Sequence, residues 1–230
     1  MQSAPFPENE RSRLAELQKY YVLESRPEVA FDDVVALAAQ ICGTPIALIS
    51  FFNADRRWVK ASVGLAASEI PSHMAFCAHT ILQREVFEVR DALHDPRVAG
   101  NPLVTESPFI RFYAGISLIT HAGHALGTLC VIDRVPRELT ANQRQMLASL
   151  GRQAMSLLEL HRRQVQLELA AAIEEEFRHD QAKLSFALDH GIDGMALLNR
   201  QGLYTYMNQA HAEIYGYEPV DLIGQPWTIL

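Results

Sequence analysis

Apolar residues recur at helical spacing over 9–21 (Leu14, Leu17, Tyr21) and over 31–42 (Val34, Val35, Leu37, Ala38, Ile41), which predicts two helices separated by a turn at 25–27. Gly43 is placed to stop the second helix. The run PIALISFF at 45–52 is short, apolar and bounded by turn residues, the pattern of a buried strand. Asn53-Ala54-Asp55 then turns the chain into a second strand over 57–62, with Trp58 facing inward. After a looser stretch around Pro71, FCAHTIL at 76–82 predicts a short helix, and 86–89 a brief strand. The segment 91–108 carries Pro96, Gly100, Pro102 and Pro108 and is expected to be irregular, a length of loop that is usually functional. The clearest hairpin joins 112–120 to 125–133 through His121-Ala122-Gly123-His124.

Beyond Pro136 the pattern changes. From 140 to 190 there is no proline and Gly151 is the only glycine. A capless helix of about 50 residues is expected, roughly 75 Å long at about 1.5 Å per residue. Leu147, Leu150, Ala154, Leu158, His161, Val165, Leu169 and Ala172 follow a 3-4-4 spacing along it, an eleven-residue repeat. The first part, 140–157, packs equally well on its own domain or on a partner. Past Arg162 the stripe needs a partner helix, and Leu158, Val165, Leu169 and Ile173 are the expected seam of a homodimer. A mixed pattern restarts with strands at 195–198 and 203–207 around a turn at 199–202, followed by helical stretches near Ala212 and Val220. Two strands and two short helices do not enclose a core, so a further part of that domain is expected after Leu230.

With 230 residues, of which 49% are hydrophobic, the chain has ample material for a packed core. The formal charge of −7, with Lys and Arg scattered, argues against nucleic acid as a partner. Cys42, Cys77 and Cys130 are odd in number and widely spaced, each in or beside an apolar segment, as expected of buried thiols in a reducing compartment. No signal-peptide pattern opens the chain and no stretch approaches about 20 apolar residues, so a cytoplasmic location with no membrane span in this segment is expected.

Several blocks, in order and spacing, resemble a bacterial GAF domain of the kind found ahead of sensor histidine kinases and diguanylate cyclases: PIALISFF, Asp55-Arg56-Arg57-Trp58, FCAHTIL, DALHDPRVAGNPLV (91–104), IRFYAGISL (110–118) and GTLCVIDRVPREL (127–139). The region 184–230 is similar to the opening of a PAS domain, through DGMALLN, YMNQAHAEIYGY and DLIGQPW. The resemblance implies an α+β fold in three parts. These are a GAF sensor domain over 1–137, with an antiparallel sheet and flanking helices, a long signalling helix over 138–183, and a truncated PAS-like α/β segment over 184–230. It also implies a kinase or cyclase output domain further along the parent chain.

By the same comparison a ligand cavity lies between the sheet and the 91–110 segment, where Phe52, Trp58, Phe76, Cys77, His79, Asp91, Arg111, Tyr113 and Cys130 can converge. Aromatic rings with a few polar groups suit a small metabolite. Bilin-binding GAF domains attach their chromophore to a Cys followed directly by His, whereas Ala78 separates Cys77 from His79 here. No ligand spacing supports a metal or haem, and the cofactor is left undefined. The blander reading makes Cys77 a core thiol and His79 a capping or hydrogen-bonded residue. Asp91, Asp95, Arg97 and Arg111 can either bind a polar ligand or pin their own loop. The functional expectation is a non-catalytic sensory module that binds a small ligand and relays the change through a dimeric helix. Its alternatives are a structural dimerisation module with a filled core and a thiol redox sensor or methionine sulfoxide reductase-like enzyme using Cys77.

Overall fold

The computed structural model of the chain describes residues 9–23, 27–52, 57–64 and 75–230. They form two compact units, 1–165 and 166–230. The first contains helices α1 (Glu10–Gln18) and α2 (Val29–Cys42), strands β1 (Ile46–Phe52) and β2 (Arg57–Val63), helix α3 (Ala75–Thr80), strand β3 (Phe87–Val89), helix α4 (Pro102–Thr105), strands β4 (Phe112–Ile119) and β5 (Ala125–Asp133), and the first half of α5 (Ala141–Asp189). The strands make one antiparallel sheet in the order β2-β1-β5-β4-β3. This is the expected mixed α+β architecture. The turn expected at 53–55 lies outside the described residues, as does most of that at 25–27.

β4 and β5 are buried along nearly their whole length because both faces of the sheet are covered. On one face Ala47, Ile49, Phe51, Phe112, Ala114, Ile116, Leu129 and Val131 pack under α1, α2 and the start of α5. On the other, Ile46, Leu48, Tyr113, Cys130 and Ile132 pack under α3 and the segment that follows β3. Alternation along each strand assigns neighbouring residues to opposite cores.

α2 ends as its sequence dictates: Gly43 takes the left-handed conformation (φ 66°), and its amide and that of Thr44 close on the carbonyls of Gln40 and Ala39. α1 differs from its apolar pattern. Its inner face is Arg13 and Leu17, continued by Tyr20, while Tyr21 is exposed. Arg13 is 1% exposed and donates to the carbonyls of Ala125 (3.3 Å), Leu126 (3.5 Å) and Phe52 (2.9 Å), with Glu10 at 2.7 Å balancing its charge. Tyr20 donates to Glu159 of α5 at 2.5 Å, and burial, followed by that carboxylate, pushes its hydroxyl pKa upward.

α5 is one helix of 49 residues and it is capped. Thr140 and Gln143 form a reciprocal box, Gln143 N donating to Thr140 Oγ1 (3.2 Å) and Thr140 N to Gln143 Oε1 (2.9 Å), which is the Thr-x-x-Gln signature of a helix start. Leu147, Gly151, Ala154, Met155 and Leu158 are buried in the helix-side core. Leu158 therefore belongs to the domain's own interior and is unavailable to an intermolecular seam. Val165 is half-buried, whereas Leu169 (52% exposed) and Ile173 (59%) are open.

The segment 91–111 is better ordered than an irregular loop. Asp91, Asp95 and Asn101 each accept a backbone amide two residues on, at Leu93, Arg97 and Leu103, and Asn101 with Pro102 starts α4. Ala92, Val98, Leu103, Val104 and Ile110 are anchored in the second core.

In the unit 166–230, α5 continues from Gln166 to Asp189 and is followed by strands β6 (Ala196–Leu198) and β7 (Tyr204–Met207), helices α6 (Gln209–Tyr215) and α7 (Pro219–Leu222) and a 3-10 turn at Trp227–Ile229. β6 and β7 form a two-stranded antiparallel sheet. Its small core is Tyr204, Met207, Ala212 and Leu222. Buried Asn208 organises it, accepting from Met195 N and His211 N and donating to the carbonyls of Leu188 and Asp193. Leu197 and Leu198 remain exposed.

Two outcomes follow for urea unfolding. Arg13→Ala removes the side chain that donates to the buried carbonyls of Ala125 and Leu126 and the half-buried one of Phe52, and is expected to lower stability by about 2–3 kcal/mol. A Cβ on Gly151 would stand 2.7 Å from Cγ2 of Ile116, a branched side chain with little freedom to yield. Gly151→Ala is therefore expected to destabilise by about 1–2 kcal/mol, the overpacking outweighing the gain in helix propensity. Burial raises the Cys42 thiol to about 11, above its ordinary 9.0. The folded state then holds a proton that the unfolded state releases, so this group's stabilising contribution is complete below pH 9 and falls as pH rises towards 11. Denaturation of wild type and Cys42→Ala at pH 8 and pH 10.5 should show the wild type losing more stability over that interval.

Candidate functional site

The second face of the sheet gathers a group of rings and hydroxyls. Alternation along β4 and β5 and their pairing with β1 set Ser50 beside Thr128 and Ser117 beside Thr128, with Tyr113 and Cys130 on the same face. α3 lies across this row and lowers Phe76, Cys77 and Thr80 onto it. The Phe76 and Tyr113 rings stack at 5.0 Å. Gly115 makes room for the phenol: a Cβ there would stand 2.5 Å from the Tyr113 hydroxyl.

Cys77 is the centre of the polar contacts. Its Sγ accepts from the Tyr113 hydroxyl at 3.7 Å and the Thr128 hydroxyl at 3.5 Å, Thr128 lies 3.4 Å from Ser50 Oγ, and Tyr113 and Thr80 share a hydrogen bond of 2.8 Å. Ser117 donates to the carbonyls of Thr80 (2.7 Å) and Gln83 (2.9 Å), fixing the end of α3 to the sheet. Tyr113 is fully buried, and desolvation drives its pKa well above the ordinary phenol value, so it stays neutral. Cys42, Cys77 and Cys130 are buried. Among the described residues no group of His, Cys, Asp and Glu is placed to hold a metal ion.

Of the nine residues expected to converge, Phe76, Cys77, Tyr113 and Cys130 meet here, with Phe52 half-buried against the same core. His79 is one turn along α3, stacked on Phe87 at 5.7 Å, and its buried Nε2 has no hydrogen-bond partner among the described residues. Trp58 sits elsewhere. It pairs with Phe51, a helix-side residue, because the β1–β2 register slips between Ile49 and Ser50 and passes over Lys60. That extra residue reverses which side Trp58 faces. Lys60 itself is buried, paired with Glu28 at 2.6 Å and lying over the Phe31 ring at 5.1 Å.

Asp91 and Arg111 are structural in this arrangement. Arg111 Nη1 donates to the carbonyls of Val104 (2.8 Å) and Ile110 (3.0 Å). Asp91 pairs with His94 at 2.7 Å, and that hydrogen bond holds its carboxyl below the ordinary range. Arg97 does the same for Asp95 while lying over Phe87, 4.6 Å from the ring centre. The hydroxyl group formed by Ser50, Thr80 and Thr128 escaped sequence reasoning, although strand alternation from Tyr113 and Cys130 places Ser50 and Thr128 on that face.

This chemistry comprises a neutral phenol, a thiol, hydroxyls and aromatic faces with no formal charge at its centre, suited to binding by hydrogen bonds and ring stacking. Comparison with known proteins bears on where such a face belongs. Over 137 residues the chain is 47% identical to a cyclic di-GMP phosphodiesterase of Pseudomonas aeruginosa, a match covering 60% of this chain and 23% of that protein. The chain thus corresponds to less than a quarter of that relative's length. Among solved structures it is similar to a domain described as from a two-component sensor histidine kinase protein of Sinorhizobium meliloti, with a TM-score of 0.50 and 16% identity over 61% of this chain and 97% of the other. The GAF domain of an Acinetobacter phosphoenolpyruvate-protein phosphotransferase matches with a TM-score of 0.48 and 14% identity, over 67% and 95% of the two chains. The family model for the GAF domain matches residues 26–158, more than half of the sequence, and the chain belongs to the GAF domain family.

Proposed function

We propose that this chain is the sensory and regulatory part of a longer bacterial signalling protein, that a small ligand is received on the Cys77 face of the GAF domain, and that α5 carries the response to a downstream output domain. The observation that supports the reading most directly is the alternation along β4. Tyr113 lies in the candidate site, while three residues further on Ile116 meets Gly151 of α5 from the opposite face. A ligand that moves the Tyr113 ring displaces the strand on which α5 is seated. The ligand shifts the equilibrium only by its difference in affinity for the two packings.

In this reading the fragment itself is not catalytic, and the protein works as a cytoplasmic homodimer. Its seam runs through Val165, Leu169 and Ile173, continued by Phe177 and Leu184, which are 63% and 64% exposed. The unit from 184 onward is the first half of a PAS domain, a reading supported by its exposed Leu197 and Leu198. The output is a kinase or an enzyme of cyclic di-GMP turnover, the latter favoured by the Pseudomonas relative. A second reading has its own observation: the Phe76–Tyr113 stack and the buried Cys77 thiol leave the described part of the face filled by side chains, which favours a dimerisation module that binds nothing.

Native mass spectrometry of the protein from its own host distinguishes the two: a co-purifying small molecule lost in Tyr113→Ala supports the sensor, and a bare mass supports the structural module. For the seam, sedimentation at tens of micromolar should give a dimer, with Leu169→Glu/Ile173→Glu monomeric. A monomeric wild type would remove the relay.

A further inference from the structure

On the opposite face of the sheet, beside α5, lies a trough that the proposed sensor does not use. It consists of two adjoining cavities of about 480 and 550 Å³ that share Thr120, His121, Ser156 and Glu159. One wall is α5 and the other is β4 with its turn into β5. The first cavity has an apolar floor of Ile116, Ile119 and Met155, with Gly151 seated on Ile116. Its rim is cationic. Arg84 reaches over the β4–β5 turn, within 3.9 Å of where a Cβ of Gly123 would stand, and Arg152 faces it from α5. Arg163 lines the second cavity eleven residues along α5, three turns on and therefore on the same side, about 16 Å away.

Six arginines of this unit, Arg13, Arg90, Arg97, Arg137, Arg144 and Arg162, are tied to carboxylates. Arg84, Arg152 and Arg163 have no carboxylate partner among the described residues, and Arg152 donates to Ser149 Oγ at 2.8 Å. The acidic residues of the trough are already committed, Glu159 to Tyr20 (2.5 Å) and Arg162 (2.8 Å) and Glu16 to Lys19 (2.8 Å). In a chain of net charge −7 such a cluster is not the by-product of a basic surface. A guanidinium presents a planar fork of donors that matches phosphate oxygens, and two of them flank one cavity here. Apolar floor and cationic rim together define an amphiphilic anion, and the volume suits one of nucleotide size.

We propose that this trough binds a small organic phosphate, its phosphate held between Arg84 and Arg152 and its apolar part lying on Ile116, Ile119 and Met155. The site does not include Cys77 or Tyr113 and meets their face only at Ser117. Because α5 is one of its walls, occupancy would brace the helix against β4 from the side opposite to the sensor ligand.

The test uses the full chain, labelled with nitrogen-15 and titrated at low salt with ADP and separately with pyrophosphate. Saturable shifts of the Gly151 and His121 amides with ADP, about tenfold weaker affinity for pyrophosphate, and a loss of about tenfold or more in Arg84→Ala and in Arg152→Ala are expected. Both arginines are exposed, so the variants should fold, and Arg200→Ala should bind as wild type does. Added salt should weaken binding. The proposal is overturned by an absence of saturable shifts, by affinities that the two substitutions leave unchanged, or by pyrophosphate binding as tightly as ADP. Shifts confined to Gly115 and Cys77 would also overturn it, assigning the anion to the other face while leaving the sensor reading intact.

Discussion

A sheet covered on both sides cannot move one of its residues without disturbing the layer behind it. β4 and β5 are in that position along almost every residue, so the two cores of the GAF domain share a single backbone only one strand thick. Close packing of this kind favours discrete alternative arrangements over gradual deformation. The seat of α5 makes the coupling direct, since Gly151 brings the helix backbone against Ile116 with no side chain to cushion the contact.

Much of this framework was legible in the sequence. The 112–133 hairpin, the PIALISFF strand, α2 with its Gly43 stop and the long proline-free helix all carry periodicities that local physics enforces. The misplacements have equally local causes. Arg13 counts as polar in any apolar pattern, yet three carbonyls and Glu10 make its burial tolerable. The bulge at Lys60 adds one residue to a strand, leaves no mark on composition and reverses the facing of everything before it. The 91–111 segment looked irregular because Asx turns use side chains, not periodicity, to satisfy the backbone.

The candidate site was legible to the same degree. Phe76, Cys77, Tyr113 and Cys130 could be named because α3 and the two central strands have a clear period, and their meeting follows from the sheet order. Asp91 and Arg111 could be named but not given a role, since a charged side chain that pins its own loop and one that awaits a ligand have the same sequence. Leu158 shows the complementary difficulty: an apolar stripe records that something covers it, and whether that is the domain's own sheet depends on where the domain ends in space.

Arg13, finally, bears on how such domains are delimited. The family match starts at residue 26, after α1 has already been passed. A fragment cut at that boundary would keep every strand, yet it would lack Leu17 and Tyr20 from the core and leave the carbonyls at the rim of β1 and β5 facing an empty slot. The stretch ahead of the recognisable domain is thus a keystone set from outside the arch, and excising the family unit alone would yield a weaker body than the one the full chain builds.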